Sequence, residues 1–163
     1  MTTNQPPDFP AGAYIEPGDY DAAAKQAFVK SIESYPAQLT DEVAGLSDEH
    51  LDTKYRNWTI RQIVHHLADS HVNCYIRFKW TLTESTPTIK SYNETLWSQV
   101  ADAQTAPVVS SMTILNGIHC RWGQLLRHLD DEAMARGFFH PELDRIVTLK
   151  EALPSYVWHG QHH

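Results

Sequence analysis

One stretch limits the folds open to this chain more than any other, the segment from Thr59 to Leu82. Ile60, Val64, Leu67, His71, Tyr75, Phe78 and Leu82 recur three or four residues apart. That is the spacing of one helical face, so the segment is predicted to be a rod of about seven turns whose apolar seam faces a core. Thr59 and Gln62 supply its start as a capping box, the threonine oxygen taking the Gln62 amide proton while the glutamine reaches back. The rod also carries His65, His66 and Asp69. Adjacent helical residues stand ~100° apart, so His65 and His66 cannot both face one interior site. Asp69 lies one turn beyond His65, where a carboxylate can accept the outer ring N–H of a histidine whose other nitrogen holds a metal.

The remaining periodicity supplies partners for that rod. A first amphipathic helix is expected after Gly18-Asp19, with Ala24, Phe28, Ile32, Tyr35, Leu39, Val43 and Leu46 on one face. Pro36 falls inside it and removes a backbone bond, so a kink or short break is expected after Tyr35. Ser47-Asp48-Glu49-His50 reads as a fresh cap and short turn. After Leu82 a polar, aromatic stretch holding Tyr92, Trp97 and Asp102 has no clean period. It reads as a long crossover with one short helix around Glu94 to Val100. A third stripe, Met112, Leu115, Ile118, Trp122, Leu125 and Leu129, is expected to be capped by Ser110 or Ser111. Phe138 to Glu142 and Arg145 to Thr148 are short β-favouring pieces, enough for a small hairpin or arm. Thr148 with Glu151 forms a second capping box, from which a last helix carries Ala152, Tyr156, His159 and His163, bent at Pro154. The expected fold is all-α, a four-helix bundle with one long crossover and a short β-like hairpin or arm. Residues 1–18, with Pro6, Pro7, Pro10 and Pro17, form an extended N-terminal segment, and 19–163 a single domain.

Composition narrows the function. The 163 residues are 42% hydrophobic but contain no apolar run long enough to span a bilayer, so no membrane partner is expected. A net charge of −7 argues against nucleic acid, whose phosphates demand cationic neutralisation. No basic start followed by an apolar stretch suggests secretion, and a cytoplasmic protein is expected. Cys74 and Cys120 lack metal-knuckle spacing and fit reduced thiols packed as small hydrophobes in the bundle. The ten histidines are out of proportion.

Their spacing explains the excess. His159 and His163 stand at i and i+4 and can chelate one ion. With His65 they make three neutral nitrogen ligands, and His66 and His162 are the alternatives if either helix is rotated by one residue. Three protein ligands leave positions open to water or substrate, which marks a reactive centre. A divalent ion there can lower the pKa of water towards ~7 or hold a thiol as thiolate. One ion per chain is expected, zinc or nickel first and iron or manganese after them, because imidazole suits several metals. Arg121, Arg136 and His140 are candidates to meet substrate carboxylates, and Tyr92, Trp97 and Trp158 to wall the pocket. Taken singly, each is more often a surface ion pair or a core aromatic. No nucleophile elbow is present, nor a carboxylate placed as in a His-Glu-x-x-His protease.

These residues resemble a known family. Trp58-Thr59-x-Arg61-Gln62-x-Val64-His65-His66-Leu67-Ala68-Asp69-Ser70-His71, followed by Asn73 and Tyr75-Ile76-Arg77-Phe78-Lys79, is similar to the most recognisable block of the DinB/YfiT-like proteins, specifically the YfiT-type metal-dependent hydrolases. So are Arg121-Trp122, Arg136-Gly137-Phe138, His140-Pro141-Glu142 and the ending Tyr156-Val157-Trp158-His159-x-x-x-His163. The resemblance covers nearly everything from Leu51 onward. It implies a four-helix bundle with a three-histidine metal site, carried onto His65, His159 and His163, and a homodimer. It also implies either a hydrolase or a transferase of a low-molecular-weight thiol such as bacillithiol to an electrophilic small molecule. The alternative is a non-catalytic bundle, stabilised by its metal or sensing a small ligand.

Overall fold

The computed structural model describes residues 10–163. Pro6 and Pro7 of the N-terminal segment lie outside the described residues. Four long helices form the bundle: α1 Ala22–Val43, α3 Ile60–Thr83, α6 Val108–Arg127 and α8 Leu149–His162. α1 and α3 both pack on α6, and α8 closes the ring against α1 and α3. α1 therefore stands diagonal to α3, and α6 to α8. Short elements fill the connections: α2 Asp48–Leu51, β1 Lys54–Tyr55 and β2 Trp58–Thr59 before α3, then α4 Glu94–Trp97 and α5 Ala101–Thr105 in the crossover. α7 Asp131–Ala135, β3 Gly137–His140 and β4 Arg145–Thr148 follow α6. β3 and β4 pair antiparallel, with Phe138 opposite Val147.

Both capping boxes form where the residues place them. Thr59 Oγ1 accepts from the Gln62 amide, Gln62 Oε1 accepts from the Thr59 amide, and Thr148 and Glu151 repeat the exchange. The seam of α3 is buried as its period requires, with Val64, Leu67, His71 and Phe78 at 1 % exposure or less. Phe78 meets the edge of Trp122 from α6, centroid to centroid at 5.3 Å. Each such ring contributes roughly 2–3 kcal/mol by leaving water.

The structure differs from the sequence expectations at several points. α1 runs through Pro36 without a break and ends at Val43, leaving Leu46 outside. The carbonyl of Ile32, which a residue 36 amide would have bonded, instead accepts from His119 Nδ1. Pro154 is accommodated in the same way, since the carbonyl of Lys150 accepts from the Tyr20 hydroxyl at 2.8 Å. A proline within a helix costs less when a side chain from another element takes the freed carbonyl, so neither helix is interrupted. α6 begins at Val108, before Ser110 and Ser111, with Pro107 at its N-cap and no side-chain cap. The crossover contains two short helices rather than one. Cys74 is buried but Cys120 is exposed, so only the first packs as a small hydrophobe.

Gly160 sets the approach of α8 to α1. A Cβ there would lie 2.8 Å from Tyr35 Cε2 and 3.0 Å from Cζ. Tyr35 stacks in turn on His71 and His119. Gly160→Ala is expected to destabilise by about 1–3 kcal/mol through this clash; an unchanged denaturant midpoint would show that the helices can part at no cost.

Candidate metal centre

The tiny β1–β2 hairpin delivers Trp58 and the Thr59 cap to the start of α3, and Arg61 pins that start from beneath. Arg61, 5 % exposed, donates to Asp52 Oδ1 at 2.7 Å, to Asp48 Oδ1 at 2.8 Å and to the Ala106 carbonyl at 3.1 Å. Gln62 Nε2 adds a bond to the Ser98 carbonyl at 2.7 Å. The register of α3 against the crossover is thereby fixed, and with it the direction of every histidine on the helix.

His65 turns away from α8. Its Nε2 lies 3.1 Å from the Ala106 carbonyl and its Nδ1 2.7 Å from Ser111 Oγ. A carbonyl only accepts, so Nε2 carries the proton and Nδ1 accepts from the serine hydroxyl. Both nitrogens are used, and His65 is not part of the histidine group it was expected to join. One residue on, His66 points at α8. The group that the structure assembles is His66, His159 and His163, with ligand atoms all within 4.8 Å of one another.

The donor set fits a divalent ion. His66 Nε2 and His159 Nε2 are 3.2 Å apart. Two nitrogens bound ~2.0–2.1 Å from one ion at angles between a right angle and a tetrahedral one lie roughly 2.9–3.4 Å apart. His163 reaches the same point from the end of α8, one turn beyond His159. Trp58 covers the group, 4.7 Å from the His66 ring and 6.1 Å from that of His163.

All three rings are poised neutral, as ligation requires. Burial lowers His66 to about 4, a shift that Glu94 partly opposes. Burial first, then His163, His71 and His66, hold His159 well below the ordinary value. His163 is depressed by desolvation and by His66 and His162.

A second pair lies behind the group. His119 Nδ1 donates to the Ile32 carbonyl, so its Nε2 must accept, and the proton between it and His71 Nδ1, 2.7 Å away, belongs to His71. Among the described residues, His71 Nε2 is left as an unprotonated, buried nitrogen without a partner. The His71 ring stands 5.7 Å from that of His159. His71 thus serves the core, as its place on the seam suggested.

His66 and His159 line a cavity of about 420 Å³, whereas His163 lines a neighbouring one of about 450 Å³ together with Trp58. Of the expected pocket residues, Tyr92, His140 and Trp158 line the first. Trp97 stands behind Tyr92 at 4.4 Å, outside the lining. Arg121 is spent over the Tyr75 ring, 5.5 Å from its centroid. Arg136 donates to the Leu82 and Glu84 carbonyls, tying α7 to the end of α3. Asp69 makes no bond to the three histidines; its carboxyl is raised to about 6 by burial and by Asp102 across the α3–α5 contact. The sequence reading did not place Ser70, Arg77, Ser91 or Tyr156 in the cavity, though all line it. The signal was available for α3: from His66, offsets of four and eleven residues reach Ser70 and Arg77 on one helical face.

Known proteins share this arrangement of chain. The DinB superfamily pattern matches residues 31–163. YfiT of Bacillus subtilis, described as a probable metal-dependent hydrolase, is 46% identical over 157 residues, covering 95% of this chain and 88% of its own. A relative in Geobacillus thermodenitrificans with the corresponding description is 39% identical over 171 residues, covering 100% of this chain and 93% of its own. The solved YfiT structure, noted for an unusual four-helix bundle topology, matches with a TM-score of 0.92 over 95% of this chain and 90% of that one. A mycothiol-dependent maleylpyruvate isomerase, 14% identical, matches with a TM-score of 0.65 over 85% of this chain and 60% of that one, a likeness of fold.

Proposed function

The chain belongs to the DinB superfamily, and from that premise we propose that it is a metal-dependent enzyme acting on an electrophilic small molecule, with water or a low-molecular-weight thiol as nucleophile. The carrying observation is the three-histidine group, two of whose rings, those of His66 and His159, line an accessible cavity. Three protein ligands leave coordination positions free, whereas a structural zinc is usually closed by four. His66, His159 and His163 would hold a divalent ion, which would supply Lewis-acid activation of a water or thiol nucleophile.

The chain's own groups do the rest. Trp58 packs its indole against the rings of His66 and His163 and holds them in place. Tyr156, joined to Ser70 and Arg77, fixes the cavity wall next to His159. Tyr92 and Trp158 give the cavity apolar faces against which an organic electrophile can lie.

Metal analysis followed by paired assays tests this reading. The purified chain is expected to hold about one divalent ion. The loaded form should then consume a thiol in the presence of an aryl halide, or hydrolyse a nitrophenyl ester, faster than the metal-free form. An ion that raises the melting temperature while neither thiol nor ester is consumed would overturn the enzyme and leave a metal-stabilised bundle or ligand sensor.

A further inference from the structure

Arg77 is buried, at 8 % exposure, and lines the cavity. Among the described residues its guanidinium makes one hydrogen bond, to the Tyr156 hydroxyl at 3.3 Å, and no carboxylate forms an ion pair with it. A guanidinium withdrawn from water without a counter-charge is costly, and such a group is retained where an anion completes it. Among the described residues, four further polar atoms of the same lining are buried without partners, Tyr14 Oη, Ser91 Oγ, His140 Nδ1 and His159 Nδ1. Burial and the positive charges of Arg77 and Arg145 keep His140 below its ordinary pKa, against the pull of Glu142. The other cation on the lining, Arg145, is already bonded to Glu151 at 2.7 Å.

We infer that Arg77, with Ser91 and His140, is the binding site for a carboxylate carried by the substrate at the end remote from its reacting atom. This rests on the metal-centre reading and adds the substrate class to it. Arg77 follows His66 by eleven residues, three helical turns to within about 20°, so both project from one face of α3. The separation is about 16 Å along the axis, and a long side chain leaning toward the helix N-terminus leaves roughly 10 Å between guanidinium and imidazoles. The ligand is therefore an extended one, of dipeptide length. Glu16, Glu94 and Glu142 on the lining are exposed. These carboxylates disfavour a polyanion such as a phosphate ester, whereas a single carboxylate can pass them to the buried cation.

Calorimetry with matched probes decides the matter. On the metal-loaded protein, 6-mercaptohexanoate is expected to bind about 10–100-fold tighter than its methyl ester, the range for a charge-assisted bond to a buried group. Shortening the probe to 3-mercaptopropionate should shrink that preference. Arg77→Met should bring acid and ester to equal affinity while metal content stays unchanged, and Arg77→Lys should restore part of the difference. Equal binding of acid and ester by the wild-type protein, or a preference that survives Arg77→Met, overturns the assignment. Hexanoate against hexanamide on the metal-free protein separates the two readings: acid preference there, lost in Arg77→Met, upholds the carboxylate site even if no metal binds. Should Arg77→Met fail to fold, the wild-type comparison and Arg77→Lys still decide.

Discussion

His66→Ala is expected to lose its divalent ion, with affinity falling more than about 100-fold, since removal of a mere supporting partner already costs ~10–100-fold. His65→Ala is expected to keep about one ion per chain. The two variants separate neighbouring residues of identical chemistry. The His66 ring faces His159 Nε2 at 3.2 Å, whereas the His65 ring is spent on Ala106 and Ser111. His65→Ala should instead lower stability by roughly 1–3 kcal/mol, because it leaves a buried hydroxyl and carbonyl without partners. Elemental analysis after dialysis, beside thermal denaturation, checks both outcomes. Loss of the ion from His65→Ala with retention in His66→Ala would refute the assignment.

The metal-free protein is expected to lose stability steeply as pH falls below the ordinary histidine value. His66, lowered to about 4, and His71 and His119, both depressed chiefly by burial, are neutral in the folded chain at pH 7. Unfolded histidines protonate near ~6.5, so below that pH the unfolded state binds more protons and is favoured. The stabilisation is complete above pH 6.5 and declines as pH falls through the window down to about 4 for His66. Each such imidazole contributes a slope of about 1.4 kcal/mol per pH unit, so these three give roughly 4 kcal/mol per unit, and His140, His159 and His163, lowered as well, add to it in the same direction. Asp69 acts oppositely: its raised value of about 6 means that acidification relieves a cost, but one carboxylate does not offset three imidazoles. A fall of roughly 10 °C in melting temperature between pH 6.5 and 5.5 is the expected size. A flat profile would show that the rings are hydrated or already charged. In the loaded protein, protons also compete with the ion for its ligands, which steepens the decline.

Much of this was legible in the residues themselves. The period of Ile60 to Leu82, the caps at Thr59 and Thr148, and the i, i+4 pair His159 and His163 are local features. Backbone geometry within a few residues decides them, and they appear where the sequence puts them. The four-helix architecture follows, because each amphipathic face must be covered by another. What lay beyond the sequence was rotational choice. Whether His65 or His66 meets α8 depends on which side of α3 packs on α6, a matter settled by Arg61 gripping Asp48, Asp52 and Ala106 across the α2–α3 and α5–α6 joints. The uninterrupted course of α1 through Pro36 and of α8 through Pro154 was also tertiary, since only the folded bundle brings His119 and Tyr20 to the two freed carbonyls. The sequence by itself determined the four long helices and that imidazoles on two of them meet, for these follow from spacing along one chain. Tertiary structure decided which imidazoles gather, because a side chain's partners depend on helix–helix rotation, and no local spacing encodes it.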